Sequence, residues 1–328
     1  MSFSEVLGQD LAVSILKNSL QQGRLSHAYL FTGVEGVGKD TTAFEFAKAI
    51  NCKGQANDAC DSCISCRKAA SGNHPDIKVL KPDGSSIKID QMRSFQQEIL
   101  YKPYESEKKV YIIHQTEKMT PEAANSLLKT LEEPPEHGII ILLTNNINQL
   151  LPTVISRCQL VRFNRVSNHL IKKRLSENYK LSEQEEELIT SLATGKIKEA
   201  IALVEEKEKL KKREDIIKLI LSFKDLDCLQ VFRIVEKLTE YKDQIDQILH
   251  MVLVWYRDLL LLKLKKEEQV INIDYMEELK EEVAITSVEQ AEKIIQLVEE
   301  TKNKIRTVNV NLQLTLEVML LKLNRLRR

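Results

Sequence analysis

The sequence predicts an α/β module followed by an all-helical region, and three observations carry that reading. Turn residues segregate: all seven prolines lie at or before Pro152, and nine of the ten glycines at or before Gly138, with only Gly195 beyond. Since Gly and Pro mark tight turns, the chain after residue 152 reads as helix after helix, rich in Leu, Ile, Lys and Glu. Before that point, short apolar runs alternate with amphipathic segments, the pattern of a mainly parallel sheet with helices on both faces. Four of the six cysteines (Cys52, Cys60, Cys63, Cys66) fall within 15 residues, while Cys158 and Cys228 stand apart. A secreted disulfide framework would spread its cysteines; a metal site in a reducing compartment clusters them.

Ala28–Thr32 is a short apolar strand running into a Gly-rich turn, with a helix expected from about Thr41 to Ile50. Asp76–Leu80, Lys109–His114 and Ile139–Thr144 read as buried strands, and Val161–Phe163 as a shorter one. Between them, a helix near Asp90 sets Met92, Phe95 and Ile99 on one face. Another has Thr120 as N-cap and Pro121 at its first position, and stops before Pro134-Pro135. Ser167–Asn178 and Glu183–Ala193 form a small helical unit, Gly195 precedes a helix near Lys198, and longer helices run from about Leu210 to a last one over Val308–Arg328. The expected division is 1–164, 165–208 and 209–328.

Composition narrows the function. The 328 residues are 43% hydrophobic and 29% charged, enough to bury two or three cores. Lys+Arg and Asp+Glu number 48 each, so no net charge drives the chain onto nucleic acid or membrane. Met1-Ser-Phe-Ser-Glu5 lacks the features of a signal peptide, and the apolar runs are too short to span a bilayer. A soluble, cytoplasmic protein is expected.

Gly33-Val-Glu-Gly36-Val-Gly38-Lys39 follows a strand and opens a helix, the setting of a phosphate-binding loop. Glycines let backbone N–H groups converge on phosphate oxygens, and Lys39 adds a full positive charge. The next residue, however, is Asp40, where the motif places Ser or Thr to ligate Mg²⁺. The strand that should end in Asp-Glu, for metal and water, ends in His114-Gln115. Two parts of a hydrolytic apparatus are missing from a scaffold built for it. The cysteines, spaced Cys52-x7-Cys60-x2-Cys63-x2-Cys66, suit a closed tetrahedral Zn²⁺ site, with an iron–sulfur cluster as runner-up.

Asn125-Ser-Leu-Leu-Lys-Thr-Leu-Glu-Glu-Pro-Pro135, followed by Ile155-Ser-Arg-Cys158, resembles the bacterial clamp-loader AAA+ subunits. The Gly8-Gln9 start, Ser26-His-Ala-Tyr-Leu-Phe-Thr-Gly33, the four cysteines and the last helix around Asn311–Leu321 are similar to the same family. The resemblance implies a RecA-like AAA+ P-loop module with a zinc-binding insertion, a small helical lid and a C-terminal helical collar. Asp40, His114 and Gln115 align the chain with members that keep the fold and the Ser-Arg-Cys motif but not the ATPase machinery. It further implies structural zinc on the four cysteines and weak or absent nucleotide at Gly33, Gly36, Gly38 and Lys39. Arg157 becomes a finger presented to a neighbour's ATP, where a planar guanidinium can clamp phosphate oxygens. The implied partners are gamma/tau motor subunits, delta, the β sliding clamp and primer-template DNA, with nucleotidyl transfer only in the whole replicative polymerase.

An ATP-hydrolysing motor subunit is the alternative, opposed by Asp40 and His114-Gln115; a free-standing zinc-stabilised nucleic-acid binder is opposed by the balanced charge. Lys198 matches a sensor position but reads better as a solvated lysine, and Thr144-Asn145-Asn146 occupies the first sensor position. Cys158 reads as a packed residue, Trp255 as helix-bundle core, and Arg325-Leu-Arg-Arg328 as a complement to a helix dipole.

Overall fold

The computed structural model describes residues 2–54, 57–222, 228–240, 242–307 and 310–327. Two compact units emerge, Met1–Asn178 with Gly195–Glu199, and Tyr179–Thr194 with Ala200–Arg328.

The first unit is built on five strands: β1 (Ala28–Thr32), β2 (Ile77–Leu80), β3 (Lys109–Ile113), β4 (Gly138–Thr144) and β5 (Gln159–Arg162). Their order is β2-β3-β4-β1-β5, and every neighbouring pair is parallel, with Leu30 of β1 between Leu142 and Leu160. Around the sheet lie α1 (Asp10–Gln21), α2 (Lys39–Ile50), α3 (Ile64–Ala70), α4 (Ile89–Leu100), α5 (Pro121–Glu132), α6 (Pro152–Ile155) and α7 (Asn168–Asn178). Successive strand side chains point to opposite faces. Tyr29, Phe31, Val110, Ile112, Ile139 and Ile141 therefore pack with Leu16 and Phe46 of α1 and α2. Leu30, Tyr111, Ile113, Ile140 and Leu142 pack with Phe95, Ile99 and Leu127 of α4 and α5. Covered on both faces, β4 is buried along its whole length, which explains its unbroken apolar sequence.

Helix ends follow local chemistry. Thr120 accepts a hydrogen bond from the Ala123 N–H and Pro121 occupies the first turn, a cap of the kind whose loss costs about 1 kcal/mol. α2 begins at Lys39, two residues before the expected Thr41, because Gly38 in a left-handed conformation already turns the chain into the helix. The fifth strand occupies Gln159–Arg162 rather than Val161–Phe163. Leu160 and Val161 are its apolar centre, and Phe163 leaves the strand with its N–H still donating to Thr32 O.

The second unit is helical: α8 (Glu183–Ala193), most of α9 (Ile197–Glu205), α10 (Lys207–Leu221), α11 (Cys228–Glu240), α12 (Ile245–Lys263), α13 (Met276–Ile285), α14 (Val288–Thr307) and α15 (Leu312–Arg327). The expected last helix thus starts four residues later, and positions 308, 309 and 328 lie outside the described residues. Trp255 is fully buried at the centre of this core, as expected, and its Nε1–H donates to Glu282 Oε2 at 3.0 Å. Arg327 pairs with the same buried carboxylate and lies over the Tyr256 ring. Arg325 and Arg327 lie in the last turn of α15, the position expected of a complement to the helix dipole, and Arg327 adds a core ion pair that was not expected. No helix among the described residues is long and apolar enough to cross a membrane.

Candidate functional site

Parallel strands expose their carboxyl ends on one side of a sheet, and ligands of such sheets bind there. The Gly-rich loop after β1, His114 and Gln115 after β3, and Asn145 after β4 meet at that edge, joined by Lys198 from the start of α9. With Glu35, Lys39, Asp40 and Lys81 they line a cavity of about 350 Å³. Gly36 is required by the loop, since its φ is +84° and a Cβ there would come within 3.2 Å of Lys196.

Inside the cavity the charged groups satisfy one another. Lys39 is 4% exposed, and its ammonium donates to Gly33 O (2.6 Å), Val34 O (2.8 Å) and Asn145 Oδ1 (2.9 Å). Those are as many acceptors as an ammonium has protons. Burial lowers its pKa, against the pull of Asp40 and Glu117. Asp40 Oδ1 accepts from His114 Nδ1 at 2.8 Å, and its Oδ2 lies 3.0 Å from Lys198 Nζ. The hydrogen bond from His114 holds the Asp40 carboxyl far below the usual range; burial opposes it and Lys198 reinforces it. Lys198 is therefore ion-paired rather than simply solvated. Sequence reasoning missed this pairing, although a carboxylate in place of Ser or Thr already called for a cation opposite it.

The four cysteines come together at the other end of α2. Their sulfurs all lie within 4.8 Å of one another, near the roughly 3.8 Å that tetrahedral Zn–S bonds of 2.3 Å impose. Backbone N–H groups of Cys60, Cys63 and Cys66 point at the sulfurs of Cys52, Cys60 and Cys63 at 3.3–3.4 Å. Such donors favour thiolate, the form that ligates metal. The Ser62 hydroxyl first, then the Cys63 N–H, lower the Cys60 thiol to about 5; burial raises that of Cys66. Gly54 belongs to the same construction, because a Cβ there would sit 2.8 Å from Cys60 Sγ. The donor set fits a metal ion. Behind it, Lys48 of α2, 1% exposed, pairs with Glu45 at 2.8 Å and with Asp61 of the knuckle at 2.6 Å.

Arg157 stands outside the cavity lining, on the turn after α6. Its Nη2 pairs with Glu132 at the end of α5 at 2.8 Å, and Nη1 donates to Thr153 O at 2.9 Å, leaving the side chain about one-third exposed. Sequence reasoning identified Arg157 but not Glu132, which holds it. Cys158 is packed against the core, where burial pushes its thiol up to about 12, away from the thiolate form.

A parallel sheet in this order, with a phosphate-loop framework at its carboxyl edge, defines a RecA-like AAA+ module joined to a helical C-terminal part. A crystal structure of a DNA polymerase III gamma subunit-related protein from Thermotoga maritima has the same fold. Its TM-score is 0.52 at 21% identity, covering 97% of this chain and 100% of that one. The family described as DNA polymerase III, delta subunit, matches residues 8–167, and its C-terminal counterpart matches residues 207–325. DNA polymerase III subunit delta' of Bacillus subtilis is 35% identical over 318 residues, 96% of each chain. Subunit tau of the same organism is 31% identical, over 80% of this chain and 50% of that one. The chain belongs to the DNA polymerase III delta' family of clamp-loader subunits.

Proposed function

We propose that this chain is the non-hydrolysing stator of a replicative clamp loader, lending Arg157 to the ATP site of a neighbouring subunit. The observation that carries this reading is the pairing of Asp40 with His114. The residues standing where Mg²⁺ ligands belong are bound to each other at 2.8 Å. A pocket whose cations and carboxylate are mutually satisfied gives a nucleotide's phosphates and metal little to hold, so the chain has no ATPase of its own. Its contribution to DNA-directed polymerisation is made only inside the polymerase III holoenzyme, in the bacterial cytoplasm.

In this reading the partners are gamma/tau motor subunits and delta, and the assembly places the β sliding clamp on primed DNA. The domain division 1–164, 165–208 and 209–328 assigns collar assembly to the last part. Exposed apolar residues there, Leu229 and Phe232 on α11 and Leu314 and Val318 on α15, support packing against sister collars. Zn²⁺ on Cys52, Cys60, Cys63 and Cys66 is structural: four thiolates close the coordination sphere and leave no position for water.

Arg157 is exposed enough to meet a neighbour, and its hold on Glu132 is a solvent-facing ion pair, cheap to exchange for a γ-phosphate. The test is Arg157→Ala in a complex reconstituted with motor subunits and delta. Assembly and zinc content stay intact, while hydrolysis at one interface falls by about 10³- to 10⁵-fold, the worth of such fingers elsewhere. Total DNA- and clamp-stimulated ATPase falls only in part, because other sites keep their own fingers. Arg157→Lys does not restore it fully, since an ammonium lacks the bidentate fork. Wild-type ATPase and clamp loading from a fully assembled Arg157→Ala complex would remove the finger from the reading.

A further inference from the structure

The charged groups of the cavity do more than cancel. Asp40 sits in the first turn of α2, where a helix favours an anion. One of its carboxylate oxygens engages His114 at the end of β3, the other Lys198 in the segment Gly195–Glu199. The backbone repeats the connection. Lys198 N–H donates to Gly36 O at 3.1 Å, and Val166 N–H donates to Gly195 O at 2.9 Å. The phosphate loop and Gly195–Glu199 are therefore tied at two levels, a main-chain bond and a side-chain ion pair, with the loop's own lysine turned inward on Gly33 and Val34.

We propose that Asp40 is a built-in anion that takes the place of bound nucleotide, gathering Lys198 and His114 and so locking the phosphate loop to segment Gly195–Glu199 without any ligand. This rests on the reading of the pocket as non-hydrolysing and gives it a cause. The carboxylate collects a donor from each side, the His114 ring and the Lys198 ammonium, as a phosphate would, but it is covalently part of α2 and cannot be hydrolysed or released. A competing nucleotide would have to place its phosphates against Asp40 and draw Lys39 away from three acceptors. The closed arrangement is then permanent, and this unit keeps one conformation whatever the nucleotide concentration.

Hydrogen exchange on the full chain, read by mass over residues 33–39 and 195–199, tests the lock. In the wild type both segments exchange at rates that saturating Mg²⁺-ATP does not change. Asp40→Asn keeps the shape and removes the charge; Lys198→Met removes the cation from a half-exposed position. Each variant speeds exchange in both segments together, by about fivefold, the factor that roughly 1 kcal/mol of ion pairing gives. The double variant is no faster than the faster single one, since the two residues share one interaction. Unchanged exchange in Asp40→Asn, with a wild type still blind to Mg²⁺-ATP, overturns the lock and leaves the non-hydrolysing reading standing. Protection of the wild-type loop by Mg²⁺-ATP overturns both.

Discussion

The two ends of α2 make opposite use of polar side chains. At its start, Lys39, Asp40, His114 and Lys198 are unlike in charge and meet one another, so each has what it needs within the protein. At its far end, Cys52, Cys60, Cys63 and Cys66 are alike, four donors gathered within 4.8 Å with backbone N–H groups behind three of them. Unlike groups brought together close a site; like groups brought together require a ligand from outside. The helix thus runs from a pocket whose charged groups meet one another to a knuckle whose four donors could hold a metal ion.

The sharpest way to break this contrast is at the knuckle. Protein prepared without added metal should carry one equivalent of Zn²⁺ per chain by elemental analysis. Cys63→Ser should lose it, leaving segment 52–66 open to protease and the melting temperature reduced. Structural zinc binds small sites with apparent energies of about 10 kcal/mol or more, part of which is folding energy here. A metal-free wild type with four titratable thiols would end the argument.

The next effect in size lies between the two ends. Lys48 and Glu45 are each 1% exposed and paired, so Lys48→Met leaves a buried carboxylate without its cation. Denaturant unfolding should show a loss of about 3–5 kcal/mol. Glu45→Gln paired with Lys48→Met should recover much of it, because the fully buried charge is gone and the other partner of Lys48, Asp61, is 40% exposed to water; a double variant as unstable as the single one contradicts this account.

The smallest effect sharpens the contrast at the start of the helix. In a working phosphate loop the lysine serves the ligand, whereas here Lys39 serves three acceptors of its own unit. Lys39→Met should lower stability by about 1–3 kcal/mol through the unsatisfied carbonyls, with no change in nucleotide binding. Unchanged stability together with lost Mg²⁺-ATP affinity would show that Lys39 still works for a ligand.

What the sequence disclosed follows the range of the interactions involved. β4 and α5 were plain because an unbroken apolar run, a Thr cap and Pro121 are local signals. The cysteine knuckle was plain because its four donors lie close along the chain. α1 gave no comparable start signal: its N-cap is Gln9, which makes no capping bond to the helix but donates instead to Val37 O and Asn164 O. The order of the sheet and the pairing of Lys198 with Asp40 depend on segments far apart, and no periodicity records them. Glu132 lay inside the motif that carried the family resemblance, yet its hold on Arg157 appears only once α5 and α6 are folded together.

The bond between Asp40 and Lys198 joins residues 158 positions apart, and Gln9 reaches Asn164 across 155. Contacts of such separation form late, after the loop entropy between them has been overcome. During synthesis from the N-terminus, β1, the Gly-rich loop and α2 leave the ribosome long before residue 198 exists. For that interval the nascent loop has its carboxylate without the lysine that closes it. The completed pocket is therefore a feature of the finished chain, and the arrival of Gly195–Glu199 marks when the first unit can reach its final form.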